Sequence, residues 1–267
     1  MTNNATFEEL IADAQSAHFA GWDFSFLNGR WFEDQPSWNY RELVEKQLPD
    51  SRSLLDMGTG GGELLASLSG LPANTCATEA YAPNVSIARA TLAPLGIQVF
   101  EFQDDDNLPF DDVAFDLIIN RHESYAPDEL RRILQPNGRF LTQQVGGGDN
   151  CGINERLGAP ISTEYDHWNL AYAVDELQTA GFRIVDAREE MTRTVFRDIG
   201  AVVYYLNAIP WQIPGFSVDL YCDQLRQLHR QIVSDGEFVT YNSRFYIESV
   251  RPAERSSFRE VNHPAVP

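Results

Sequence analysis

Positive charge is what this chain has least of. Only 20 Lys and Arg stand against 39 Asp and Glu, a net charge of −19, and no basic run appears anywhere. Gripping a phosphate backbone requires clustered Lys and Arg, so neither nucleic acid nor an anionic membrane surface is expected as a partner. The acidity itself reads as a soluble, self-repelling surface. Cysteine is also scarce. Cys76, Cys151 and Cys222 lie far apart and form no C-x-x-C pair, which argues against a disulfide framework or a zinc site; Cys76 falls in an apolar run and reads as core. No run of roughly eighteen apolar residues is present to span a membrane, and MTNNATFEEL lacks the basic and apolar regions of a signal peptide. A reducing cytoplasm is the expected setting. Internal repeats and low-complexity tracts are missing too. What remains, 267 residues of 43% hydrophobic content, suffices for one large α/β domain, alone or with a lid.

What the chain does have is LLDMGTGGGELL, residues 54 to 65. A short apolar run ends in Asp56 and leads into a turn rich in glycine (Gly58, Gly60, Gly61, Gly62), after which Glu63 to Leu68 reads as helix. Strand, tight turn, helix is the first half of a βαβ unit, whose turn is where open α/β sheets bind ligands. A dinucleotide fingerprint G-x-G-x-x-G started at Gly58 needs glycine at position 63 and meets Glu63. A pyrophosphate would also lie among carboxylates. The spacing that fits is D-x-G-x-G-x-G, as Asp56, Gly58, Gly60 and Gly62. It resembles the first motif of the class I S-adenosylmethionine-dependent methyltransferases, whose cofactor carries a sulfonium and an ammonium and no phosphate. On this stretch alone, a glycine turn with no ligand stays open.

Downstream the pattern continues. Thr75 to Thr78 reads as a second strand ending at Glu79, an acid about 20 residues past the turn, where a carboxylate can accept the hydroxyls of a ribose. NAD enzymes use an acid there as well. Ala80 leaves room for an adenine ring. Pro83 opens a helix through Ala93, closed by Gly96, and Ile97 to Phe102 alternates as a third strand. In QDDDNLPFDDVAFDLIINRHES, the loop acid before Leu-Pro-Phe and the strand that begins Phe-Asp resemble the third and fourth motifs of the same class. The likeness is to small-molecule enzymes of the ubiquinone-biosynthesis type and covers residues 40 to 145. It implies that Asp104 or Asp105 meets the adenine amino group, and that Asn120, ending the apolar fourth strand 114–120, lies at the cofactor. Methyl transfer is an in-line displacement that mainly requires alignment. Where the acceptor must lose a proton, His122 is the first candidate base and Glu123 the second. An Arg121–Glu123 ion pair shaping the loop is the structural alternative.

The flanks are less explicit. Thr6 with Glu9 reads as a capping box ahead of a helix carrying Phe7, Leu10 and Ile11, and Pro36 can start a second helix to Leu48. Pro127 to Leu134 reads as helix, Arg139 to Val145 as strand five, Trp168 to Ala180 as helix, Phe182 to Glu189 as strand six, Leu220 to Val233 as helix and Phe245 to Val250 as an antiparallel last strand. Residues 143–150 fit no assignment, and the tail from Arg251 reads as loosely attached.

The expected protein is therefore a doubly wound, seven-stranded Rossmann-like sheet over 49–267. It has an N-terminal cap over 1–48 and a cap insert at about 191–235. Trp22, Trp31, Trp38, Trp168 and Trp211 would shut water out around an apolar or aromatic acceptor, or simply anchor the cap. Its expected chemistry is methyl transfer from S-adenosylmethionine, leaving S-adenosylhomocysteine, to a small molecule. A homodimer is compatible with the apolar insert, and no metal is expected. The rival readings are a non-catalytic cofactor-binding protein, an rRNA or tRNA methyltransferase and an NAD-dependent oxidoreductase.

Overall fold

The capping box forms. Glu9 N–H reaches Thr6 Oγ1 while Thr6 N–H donates to Glu9 Oε2 at 2.8 Å, and this starts α1 (Phe7–Ser16). A computed structural model describes residues 5–19 and 24–253; Trp22 and the tail from 254 lie outside the described residues. A short strand β1 (Trp31–Glu33) follows, then α2 (Tyr40–Gln47), β2 (Ser53–Met57), α3 (Glu63–Ser67), β3 (Asn74–Glu79), α4 (Ala82–Leu92), β4 (Gln98–Glu101) and β5 (Phe115–Arg121). The second half holds α5 (Pro127–Ile133), β6 (Leu134–Val145), α6 (Cys151–Leu157), α7 (Leu170–Thr179), β7 (Arg183–Phe196), α8 (Ile199–Ala208), α9 (Cys222–Asp235) and β8 (Phe238–Val250).

The sheet order is β1-β7-β8-β6-β5-β2-β3-β4. Strands β4, β3, β2, β5 and β6 are parallel, and β8 inserts antiparallel between β6 and β7. This is the doubly wound sheet with the antiparallel last strand, and β1 adds an eighth strand on the edge beyond β7. Strand order reverses between β2 and β5, so their carboxyl ends flank the crevice where such sheets take ligands.

Side-chain alternation divides the core in two. Leu54, Leu117, Ile119 and Leu141 pack under α2 and α4, whereas Leu55, Ile118 and Phe140, with Cys76, pack under α5 and α7. Burial on both faces explains why these strands read as continuous apolar runs. A third core belongs to the flanks. The last β6–β8 pair is Val145 with Arg244, but β7 and β8 remain paired as far as Phe196 and Phe238. This hairpin overshoots the carboxyl edge of the parallel strands, and α1, α6, α8 and α9 pack around its end.

Several boundaries differ from expectation. The helix expected from Pro36 starts at Tyr40, because Asn39 caps it through Oδ1. Strand six runs seven residues past Glu189 to Phe196, and the last strand starts at Phe238 rather than Phe245. The apolar insert contains α8, nine of whose ten residues are buried, as expected of a helix apolar on all sides. Arg251 is not loose, since its Nη1 donates to the carbonyl of Arg131 at 2.6 Å.

Candidate active site

The glycine turn leaves β2 in a backbone conformation that side chains resist. Gly58, Gly60 and Gly62 have φ of 65°, 63° and 86°, left-handed values that glycine adopts without strain. The turn is stitched to β3, with Thr59 N–H on the Thr78 carbonyl at 2.9 Å and Gly58 N–H on Thr78 Oγ1 at 3.3 Å. Two acids stand at the strand ends. Asp56 accepts from Thr59 Oγ1 at 2.7 Å, and Glu79 accepts from Gly60 N–H at 2.7 Å and Tyr81 N–H at 2.8 Å. Both carboxyls are buried, and burial raises both pKa values, that of Asp56 to about 7 with the Glu79 charge adding to the effect. No Lys or Arg is hydrogen-bonded to either among the described residues. Above Gly60 there is open space where a Cβ would stand, and Ala80, next to Glu79, is exposed. The turn therefore fits a cationic, phosphate-free nucleoside and does not fit a pyrophosphate.

The loop after β5 closes the other side. His122 takes φ of 63°, and its N–H bonds the Gln143 carbonyl at 2.8 Å. That bend lays Glu123 on the glycine turn, so that a Cβ added to Gly58 would stand 2.5 Å from Glu123 Cβ and Cγ and 2.6 Å from Oε2. Ser124 Oγ then donates to Asp105 Oδ2 at 2.5 Å. Burial, then Glu79 and Asp105, raises the Glu123 carboxyl to about 7. Four carboxylates, from Asp56, Glu79, Asp105 and Glu123, thus converge on the turn. Asp104 does not join them: it is exposed and accepts from Asp106 N–H in its own loop. Among the described ion pairs there is none between Arg121 and Glu123.

His122 is surrounded by protein yet exposed to solvent, the combination found on the wall of a cleft. Desolvation in the cleft, then the Arg121 and Arg244 cations, lowers its proton affinity, so its ring is neutral at pH 7. Asn120, expected at the cofactor, is fully buried, and its Oδ1 accepts from Thr142 Oγ1 at 3.0 Å and Gln144 Nε2 at 2.7 Å. Its side chain thus braces the strand ends beneath the loop.

Residues outside the motifs complete the site. Trp38 Nε1 donates to Gln143 Oε1 at 2.8 Å, and Gln143 Nε2 lies 3.3 Å from His122 Nε2. Tyr40 Oη donates to the Asn120 carbonyl at 2.8 Å and accepts from Asn120 N–H at 3.0 Å. Gln144 Nε2 also holds the Glu123 carbonyl at 2.8 Å. Arg244 bridges Glu33 at 2.7 Å and Asp149 at 2.5 Å. The unassigned segment 143–150 therefore supplies Gln143 and Gln144 behind the β5 loop and Asp149 against Arg244. The other tryptophans scatter. Trp31 packs in the flank core, Trp168 lies on the opposite sheet face against Tyr125 and Phe245, and Trp211 is 57% exposed. Among the described residues no group of three or more His, Cys, Asp or Glu could hold a metal ion.

Comparison with known proteins agrees with this geometry. Residues 55–142 match the family described as a methyltransferase domain. No curated protein matches the chain. Among solved structures, a functionally unknown protein from Deinococcus radiodurans is similar at 14% identity and a TM-score of 0.59, covering 83% of this chain and 90% of its own. The YcgJ protein from Bacillus subtilis is similar at 15% identity and a TM-score of 0.53, covering 80% of this chain and 98% of its own. At such identities these two show a shared fold. The matched segment runs from the third residue of β2 to the ninth of the twelve in β6, enclosing the glycine turn, Glu79, Asp105 and the β5 loop. Residues 55–142 thus match a methyltransferase domain, set within a sheet that the flanking segments extend.

Proposed function

We propose that the chain transfers the methyl group of S-adenosylmethionine to a small molecule bound in the cleft between the glycine turn and His122. The observation that carries this is the convergence of Asp56, Glu79, Asp105 and Glu123 on an open turn with no bonded Lys or Arg among the described residues. The cofactor supplies an electrophilic methyl on a sulfonium cation. Gly58, Gly60 and Gly62 let it approach the backbone, Glu79 has lone pairs left for ribose hydroxyls, Ala80 and Asp105 border the adenine side, and Asp56 and Glu123 offset positive charge. Asp104 and Asn120 serve only by shaping their loops.

For proton transfer, Glu123 ranks above His122. A general base works best when its pKa lies near the operating pH; Glu123 has been brought to about 7, whereas His122 has been pushed away from it. Glu123 accepts the acceptor's proton, and neutral His122, oriented by Gln143, holds the acceptor by a hydrogen bond.

The small-molecule reading rests on the flanks and on charge. Residues 1–48 and the insert at about 191–235 act together as a cap, because α1, α8 and α9 share one core at the carboxyl edge. A net charge of −19 opposes a polyanionic acceptor. All three cysteines are free, which suits a reducing cytoplasm. Calorimetric titration with S-adenosylmethionine, S-adenosylhomocysteine and NAD tests the cofactor. Binding of the first two without the third is expected, and NAD binding alone would overturn it. The non-catalytic reading is tested by turnover: Glu123→Gln should abolish a rate limb near pH 7, and a protein with no turnover on any acceptor that binds it would be a binder only.

A further inference from the structure

Past Arg244, one face of the β7–β8 hairpin carries buried polar atoms that bond nothing. Opposed residues in an antiparallel pair share a face, and the register pairs Gln143 with Tyr246, Thr192 with Asn242 and Thr194 with Thr240, while Trp31 pairs with Phe196. Tyr246, Arg244, Asn242 and Thr240 therefore form one line along β8, and Gln143 of β6, paired with Tyr246 on the same face, joins it to His122 and Trp38. Most of the buried side-chain polar atoms that lack a partner among the described residues fall on this face. They are Trp31 Nε1, Thr192 Oγ1, Thr194 Oγ1, Thr240 Oγ1, Asn242 Nδ2 and, from the facing loop, Asn150 Oδ1. The five Thr and Asn residues are at least 93% buried.

Buried polar groups without partners are rare because each costs the hydration it gave up. Here they are concentrated in one row rather than scattered. Asn150 Nδ2 already donates to Tyr205 Oη at 2.9 Å and Asn242 Oδ1 at 2.6 Å. Turning both amides around would still leave one donor and one acceptor over. Three hydroxyls, which both give and accept, with an amide donor, an amide acceptor and an indole N–H, suit hydroxyls and carbonyls. They do not suit an ion: the cation in the row, Arg244, is already bridged by Glu33 and Asp149. An open groove of about 520 Å³ between α6 and β8 reaches this row at Thr240, with Gly148, Gly152, Met191, Phe238 and Tyr241 also on its walls. Gly152 is the thin point, since a Cβ there would stand 2.8 Å from Thr240 Oγ1.

We propose that this row is the acceptor-binding wall and that the acceptor is an elongated, neutral, oxygen-rich small molecule. At about 3.4 Å per residue, Asn242 and Thr240 lie roughly 14 and 20 Å along the strand from the level of Tyr246, so the acceptor spans that distance with its methylated end toward His122. The proposal rests on the cleft being the methyl-transfer site. It replaces the expected apolar or aromatic acceptor, because Trp31 and Trp38 border the row with their Nε1 groups while Trp168 and Trp211 lie elsewhere.

The test is the double variant Thr194→Val/Thr240→Val, which keeps shape and removes two hydroxyls. Unfolding is measured without ligand, and binding of maltotriose and quercetin 3-glucoside is measured in the presence of S-adenosylhomocysteine, with citrate and dodecanol as charged and apolar counterparts. The variant should unfold at the same or a higher temperature than the parent, because groups without partners are lost. At least one neutral probe should bind the parent and bind the variant about tenfold or more weaker, as expected for each unmet hydrogen bond. A destabilised variant, binding by neither neutral probe, equal affinity in both proteins, or preference for citrate or dodecanol would each overturn the proposal. If S-adenosylhomocysteine itself fails to bind, the fault lies with the cofactor reading instead; the hydroxyl row stands or falls on the unfolding result.

Discussion

The carboxylates around the glycine turn make opposite pH trends in folding and in cofactor binding. Asp56 is 3% exposed, and burial keeps it protonated up to about pH 7 rather than about pH 4. Folding therefore retains a proton that the unfolded chain has released between those values, and stability falls as pH rises through this window. For Asp56 alone the loss is roughly 4 kcal/mol, complete above about pH 7; Glu123, raised for the same reason, adds in the same direction. Binding runs the other way. A sulfonium and ammonium entering the turn favour ionised carboxylates, so the complex forms with release of protons. Affinity should fall up to about tenfold per pH unit per group below pH 7. Titration calorimetry from pH 5.5 to 8.5, in two buffers of different ionisation enthalpy, reads both the slope and the protons released. S-adenosylhomocysteine, without the sulfonium, should show a shallower slope, and Asp56→Asn should flatten it further. Affinity independent of pH, with no buffer-dependent heat, would refute the assignment of Asp56 and Glu123 to the cation.

Three further outcomes follow from single contacts. Gly58→Ala places a Cβ at φ 65° and 2.5 Å from Glu123; chemical denaturation should show a loss of about 2 kcal/mol or more, and calorimetry a weaker cofactor. Glu79→Ala removes a charged acceptor that also holds Gly60 N–H, and S-adenosylmethionine and S-adenosylhomocysteine should both weaken, by about tenfold to a hundredfold. Unchanged affinity would exclude Glu79 from the ribose. Tyr40→Phe leaves Asn120 N–H without that hydroxyl; thermal unfolding should drop by roughly 3–8 °C, corresponding to 1–3 kcal/mol, while the cofactor still binds.

The boundary between what could be read from the chain and what needed the fold is physical. Local chemistry announces itself. A D-x-G-x-G-x-G turn, an acid ending the next strand, a Thr6–Glu9 box and apolar runs in β2 and β5 each act within a few residues, and each is found where its pattern placed it. Long-range pairing does not. Phe238 to Arg244 puts Thr240 and Asn242 on the buried face, which reverses the usual apolar-in alternation, so half of β8 stayed hidden. Strand β1 is three residues long and exists only because β7 overshoots to meet it. Asp104 and Asp105 are indistinguishable as neighbours in a row of acids, and only the position of Ser124 separates them. His122 and Glu123 were legible as ionisable residues after a strand. Which of them titrates near neutrality depends on burial and on the carboxylates and arginines folded around each, from segments up to 122 residues away along the chain. The sequence by itself determined the glycine turn and the parallel sheet around it. Only tertiary structure decided how the carboxylates converge, what the flanks build, and which polar groups are left without partners, because those depend on burial and on partners distant in sequence.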